Sequence, residues 1–258
     1  MTENIFRLIE PDKPFLLAAD IDGTLLGDEE GERLLFDLVS GHPSGIILAV
    51  ISGRTLASIG ELVDQKHLPR PRFIAGSVGT ELRVFDDPAS VLPAKYHGRV
   101  RSGWDLETVY RLGEGEGIQR QEFSDGQPPF HAGFYWDGRP ETLAAFRGRL
   151  SALGNCHILP SYDHYIDVLP DGVGKGEVAC FLQAELGLDK ERVVVAGDSG
   201  NDREMFETGF GGIVPVNSLD ELKKAASKPG HYHSPQPAAR GVIDGLVHFG
   251  LIKRDKRL

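Results

Sequence analysis

The sequence has 258 residues, 40% apolar and 26% charged, which suits one large globular unit or a core with a smaller companion domain. With 38 acidic against 28 basic residues the formal net charge is -10. That balance argues against a nucleic-acid backbone or an anionic membrane as partner, and leaves room for a small anionic substrate in a locally cationic pocket. Two cysteines, Cys156 and Cys180, cannot build a disulfide framework and lack the spacing of a zinc site. The opening MTENIFRLIE has no basic region followed by an apolar stretch, and the longest apolar runs are strand-length, so a cytoplasmic protein is expected.

Phe15–Ala19 is a short apolar run that stops at DIDGT. A helical pattern follows over 30–40, then a second run over 45–51 (GIILAVI) stops at SGR, and another helical pattern covers 55–66. After residues 80–85 come Pro88 and Pro93, a helical stretch near 99–112, and the run GEGEG. Alternating segments near 118–123 and 130–136, a helix over 140–150 and short strands near 156–159 and 165–169 complete the middle of the chain. A helix over 176–186 leads to a third buried run, 192–196, which stops at GDSGND; the tail KRDKRL reads as a solvated end. Continuous β-branched runs between helices predict parallel strands buried on both faces, hence an α/β doubly wound core formed by residues 1–84 and 168–258. The middle, 85–167, predicts an inserted α+β cap whose sheet has one open face.

All three buried runs end in polar, glycine-containing loops. In an open parallel sheet such loops meet beyond the carboxyl ends of the strands, so they are expected to form one site. Asp20 and Asp22 stand two apart after the first strand, and Asp198 and Asp202 follow the third. Carboxylates that close repel, and a hard divalent cation such as magnesium offsets the repulsion; a lone pair of this kind also suits a turn with a helix cap. Ser52, Gly53 and Arg54 end the second strand and open a helix, which suits either an anion site or a simple serine cap. Lys175, in DGVGKGE, can bring a positive charge to a phosphate or be a solvated lysine at a helix start, where the dipole disfavours it. GVGK is not a P-loop, because the GxxxxGK[ST] spacing fails.

Taken together, DIDGT, Ser52, Lys175 and GDSGND resemble, in order and strand context, the four motifs of the haloacid dehalogenase superfamily of phosphotransferases. The insertion between the second and third resembles the C2B cap of the Cof-like phosphatases. Within that group SVGTEL, GDSGND with MFET, and HYHSPQPAARGVIDGLVHF are most similar to bacterial sucrose-phosphate phosphatases. The resemblance implies a phosphatase acting on a phosphorylated sugar through an aspartyl phosphate, with a glycosyltransferase as a possible source of substrate. It assigns Asp20 as nucleophile and Asp22 as general acid and base. Magnesium would be held by Asp20, Asp22 (through its backbone carbonyl) and Asp198, with Asp202 in support. Ser52, Lys175 and Gly53 would hold the phosphate, with Asn201 orienting the loop or touching phosphate. Arg54 and Glu81 become core-side candidates for sugar hydroxyls, and His164, Tyr165 and Asp167 cap-side ones; His131 and Tyr135 could also face the sugar, whereas Trp136 suits packing. The sequence departs from the family where His164-Tyr165 replace a Lys-Asp pair, which keeps mannosylfructose phosphate and other glycosyl phosphates beside sucrose 6-phosphate. A phosphomutase and a non-catalytic sugar-binding subunit are the other readings; the short linker between the first two motifs and the presence of both Asp20 and Asp22 argue against them.

Overall fold

The structure is a computed structural model and describes residues 5–100 and 103–254. In chain order the elements are β1 (Phe6–Leu8), β2 (Phe15–Ala19), α1 (Glu29–Gly41), β3 (Ile46–Ile51), α2 (Leu56–Asp64), β4 (Phe73–Gly76), β5 (Glu81–Val84), α3 (Leu92–His97), α4 (Leu106–Gly113) and β6 (Ile118–Arg120). They continue with β7 (Ala132–Trp136), α5 (Pro140–Leu150), β8 (Cys156–Ser161), β9 (Tyr165–Pro170), α6 (Lys175–Leu186), β10 (Val193–Ala196), α7 (Arg203–Phe206), β11 (Gly211–Val214), α8 (Asp220–Ala225), β12 (His231–His233), α9 (Ala238–His248) and β13 (Ile252–Arg254).

The core sheet runs β12-β11-β10-β2-β3-β4-β5, parallel throughout except for β5, which pairs antiparallel with β4. Every residue of β2, β3 and β10 is buried, because helices cover both faces of the sheet. One apolar layer packs α1, α2 and α9 on the sheet; the opposite layer packs α3, α6, α7 and α8. Local chemistry fixes the helix starts. Glu32 of α1 reaches back to accept from the backbone N–H of Gly27 and Asp28, and Thr55 caps α2 by accepting from Ser58 N. Order along the sheet reverses at β2, which lies between β3 and β10, so the loops after these three strands open side by side at the switch point.

A second sheet, β6-β7-β9-β8, is wholly antiparallel and carries α4 and α5 on one face around Phe134, Phe146 and Ile166. Its strand β9 pairs with β7 through Val168 and with β8 through Pro170, so the expected boundary at 167/168 falls inside a strand. At the other end, α3 packs with the core: buried Tyr96 sends its hydroxyl to the carbonyl of Gly79 and receives the N–H of Gly174. The expected helix near 99–112 is shorter, α4 beginning only after Asp105, and residues 101 and 102 of that stretch lie outside the described residues. Pro93 does not break the chain, because it occupies the first turn of α3 where its missing N–H costs nothing. The start of the C-terminal tail is exposed, as a solvated end should be, and it is also paired. Lys253 and Arg254 belong to β13, which pairs with β1, while 255–258 lie outside the described residues. Cys156 and Cys180 are free thiols, and no described helix is long and apolar enough to cross a membrane.

Candidate active site

Asp20 is the first residue after β2, and its N–H still bonds to Ala196 O of β10, so the strand pairing itself fixes its position. Lys175, at the start of α6, is fully buried. Its ammonium donates to Asp20 Oδ1 at 2.7 Å, Asn201 Oδ1 at 2.9 Å and Asp202 Oδ1 at 2.6 Å, which uses all three of its donors. A solvated lysine is therefore ruled out. Burial alone would lower the Lys175 pKa, but the charges of Asp20 and Asp202 raise it on balance, so the ammonium persists. The second oxygen of Asp202 accepts from the backbone N–H of Asp198 and Ser199 at 2.9 and 3.0 Å. With both oxygens so occupied, Asp202 braces the loop and holds the lysine.

Asp20, Asp198 and Asp202 form a buried cluster whose nearest oxygens all lie within 4.8 Å of one another. Burial, and next the neighbouring carboxylates Asp202 and Asp20, push Asp198 up to about 8. Asp20 is pushed up to about 7 by burial, against the pull of Lys175. Asp198 Oδ1 is buried and has no hydrogen-bond partner. An orphaned carboxylate oxygen beside two more carboxylates fits a hard divalent cation, which would take up the unused lone pairs. Gly23, at φ +76, makes this approach possible: a Cβ there would lie 2.4 Å from Asp198 Oδ2. The side chain of Asp22 stands apart from the cluster. Arg54 grips it in a two-pronged pair, Nε and Nη2 donating to its two oxygens at 2.7 Å each. The Asp22 side chain is thus engaged by Arg54 and is not one of the clustered carboxylates.

Ser52 is buried at the end of β3, and its Oγ accepts from Arg54 N at 3.2 Å. It does not cap α2, a task performed by Thr55. The turn that supports it is strained: Ser77 and Val78 hold φ of 51° and 60°, and Ser77 N and Val78 N bond to Arg54 O and Ser52 O.

These groups line the floor of a cavity of about 320 Å³ between core and cap: Asp20, Asp22, Ser52, Gly53, Arg54 and Asn201. Its roof consists of Gln121, Phe123, His131, Ser161, Tyr162, Tyr165 and Asp167 from the cap. His131 and Asp167, both buried, bond at 2.7 Å through His131 Nε2, and Phe123 packs edge-on against the imidazole at 5.2 Å. Three residues expected to face the sugar are elsewhere, Tyr135 among them, since it does not line this cavity. Glu81 turns away to accept from Ser77 Oγ at 2.8 Å and lines a separate groove with His97. His164 is exposed outside the cavity, its ring tilted against Tyr135 and edge-on to Tyr165. Trp136 packs in the cap core, as expected. Of the roof residues missed from sequence, Gln121, Phe123, Ser161 and Tyr162, the last makes a bond to the floor. It sits with Asp163 at positive φ in the β8–β9 turn, and its hydroxyl reaches Asp198 Oδ2 at 3.3 Å. A turn position between two strands gives no periodic signal of which way its side chain points.

Residues 13–250 match the family described as sucrose-6F-phosphate phosphohydrolase. The mannosylfructose-phosphate phosphatase of Agrobacterium fabrum is 32% identical over 247 residues, covering 93% of this chain and 98% of the relative. A glucosylglycerol-phosphate synthase of Pseudomonas anguilliseptica is 32% identical over 245 residues, which is 92% of this chain but 31% of the synthase. The sucrose-phosphatase from Synechocystis sp. PCC6803, solved in complex with sucrose and phosphate, superposes with a TM-score of 0.84 at 25% identity, covering 92% of this chain and 98% of that one. A match over most of the chain, a relative similar along nearly its full length and the shared fold agree with the four motif loops meeting at one floor, and the chain belongs to the sucrose-6F-phosphate phosphohydrolase family of the haloacid dehalogenase superfamily, as a phosphoric monoester hydrolase.

Proposed function

We propose that this protein is a magnesium-dependent phosphatase that frees phosphate from a disaccharide phosphate such as sucrose 6-phosphate, by way of an aspartyl phosphate on Asp20. The observation that carries the reading is the position of Asp20: held by Lys175 at 2.7 Å, at the floor of a cavity whose roof is polar and aromatic. Asp20 attacks phosphorus, the bond from phosphorus to the sugar oxygen breaks, and Asp22 gives that oxygen its proton. Water then attacks the acyl phosphate, yields its proton to Asp22 and restores the Asp20 carboxylate with release of inorganic phosphate. Asp22 reaches the leaving oxygen by exchanging its Arg54 pair for the substrate. Ser52 holds the phosphate oxygens, assisted by the N–H of Gly53; Lys175, kept aligned by Asn201, gives up one of its three contacts to reach the phosphate as it binds. Asp20, Asp198 and the Asp22 carbonyl would hold magnesium, which would supply charge neutralisation to the phosphoryl group.

Asp167 and Tyr165 read the sugar from above, joined by His131 through its bond to Asp167. The similarity to a mannosylfructose-phosphate phosphatase over 98% of that protein favours mannosylfructose phosphate as the second reading. The proposal includes a cytoplasmic location and a glycosyltransferase that makes the sugar phosphate; the synthase relative, which carries a region similar to most of this chain, supports the latter. The test is phosphate release with magnesium from sucrose 6-phosphate, mannosylfructose phosphate and simple hexose phosphates, with an EDTA control. A large kcat/KM preference for one disaccharide phosphate is expected. Equal slow rates on all would remove the disaccharide, and no magnesium-dependent release from any would remove the phosphatase reading.

A further inference from the structure

Three elements meet at one carboxylate outside the catalytic floor. Glu221, in the first turn of α8, accepts from Gly200 N at 2.8 Å and from Tyr162 N at 3.3 Å through the same oxygen, Oε1. Gly200 belongs to the GDSGND loop that carries Asp198 and Asp202; Tyr162 is the tip of the cap hairpin whose hydroxyl reaches Asp198. The packing is close enough to require glycine: a Cβ on Gly200 would lie 2.8 Å from Glu221 Cδ and 2.8 Å from Pro160 O in the cap. On the opposite lip of the cavity, the cap meets the core through Thr55 Oγ1, which donates to Asp125 Oδ2 at 2.7 Å.

We propose that Glu221 is the catch of the cap, a positioning residue that ties closure of the roof to the loop bearing Asp198. The Gly200 N–H lies within the core, so its bond to Glu221 does not depend on the cap. The Tyr162 N–H belongs to the cap and finds this acceptor only when the hairpin is down. A carboxylate accepting two backbone N–H groups binds them more strongly than a neutral acceptor would. Glu221 therefore favours the closed arrangement, in which Tyr162 shields Asp198 from water and the roof completes the sugar site. Glu221 does not itself line the cavity, so its removal is felt in capture of a substrate that uses the roof.

The test compares wild type, Glu221→Ala and Glu221→Gln. For its activity arm the inference rests on the phosphatase reading; the exchange arm stands without it. In Glu221→Ala, amide hydrogen exchange in the 160–164 hairpin should speed up about tenfold while β10 is unchanged. KM for the preferred sugar phosphate should rise about tenfold with kcat little altered, and turnover of p-nitrophenyl phosphate, too small to need the roof, should stay within about twofold. Glu221→Gln keeps an acceptor oxygen and should recover part of both losses. Unchanged hairpin exchange in Glu221→Ala overturns the catch. So does an equal loss of both substrates, which would mean that Glu221 only supports the loop. Inactivity of the wild type on every phosphate ester would defeat the phosphatase reading and leave the exchange result to decide the catch.

Discussion

On the floor of the cavity every donor of Lys175 has a partner, and each partner is set by a strand end or helix start of the core. On the roof the polar groups are carried by short cap strands and a turn; the buried His131–Asp167 pair is held by a bond inside the cap, and so is Gln121, whose amide donates to Phe134 O at 3.3 Å. The floor gathers charge that must not move during phosphoryl transfer; the roof presents hydroxyls, an amide and aromatic faces suited to a neutral sugar. The difference teaches where substitutions should abolish chemistry and where they should only change which molecule is processed.

The sharpest break in that contrast is Asp20→Asn. Removing the nucleophile should lower kcat by at least about 10⁴-fold on any phosphate ester, with the fold unchanged by circular dichroism. Next, Lys175→Ala leaves Asp20 and Asp202 buried without their counter-charge. The expected cost is about 3–5 kcal/mol, seen as a fall in Tm of about 10 °C, together with loss of activity.

Titration of the floor gives a stability prediction with a definite sign. Asp20 and Asp198 have folded pKa values of about 7 and about 8, above the usual aspartate value, chiefly through burial. Groups raised in this way stabilise the fold most at low pH, and that contribution fades as pH rises through 7 and 8. Metal-free protein should therefore lose Tm between about pH 5 and about pH 8.5, as followed by calorimetry. Magnesium, by binding the ionised carboxylates, should reverse most of the loss and bind more tightly as pH rises. A metal-free Tm that climbs over this range would contradict the picture of an uncompensated carboxylate cluster.

On the roof, Asp167→Ala should lower kcat/KM for the preferred sugar phosphate by about 10- to 100-fold, since a site that loses a polar partner for the sugar discriminates by about this much. Hydrolysis of p-nitrophenyl phosphate should change little. The smallest effect is expected at Glu81→Gln, within about twofold on either substrate, because Glu81 bonds Ser77 outside the cavity and glutamine keeps an acceptor there.

The floor was legible because each of its loops is a contiguous run of restricted residue types after a strand that reads as buried; Asp20, Ser52 and Asp198 each follow such a run. Parallel pairing then brings the runs together without further information. The cap offered less. Its cavity residues alternate with packing residues along short strands, so the pattern points to Asp167 but equally to His164, two residues after Tyr162, whose ring lies outside the cavity. Glu81 failed for a related reason: the strained Ser77–Val78 turn redirects its side chain, and no residue-type pattern announces a positive φ at serine and valine. The pairing of β1 with β13 depends on partners at opposite ends of the chain, which local pattern does not reveal.

The central claim is that the floor works through Asp20, and the direct test is to trap the phosphorylated enzyme. Asp22→Asn removes the base proposed to activate water, while p-nitrophenyl phosphate carries a leaving group that needs no proton from Asp22. Acid quenching of that variant with magnesium and labelled p-nitrophenyl phosphate, followed by peptide mapping, should find hydroxylamine-sensitive phosphate on Asp20. Label on another residue, or turnover in this variant with no labelled enzyme at any time, would contradict the account.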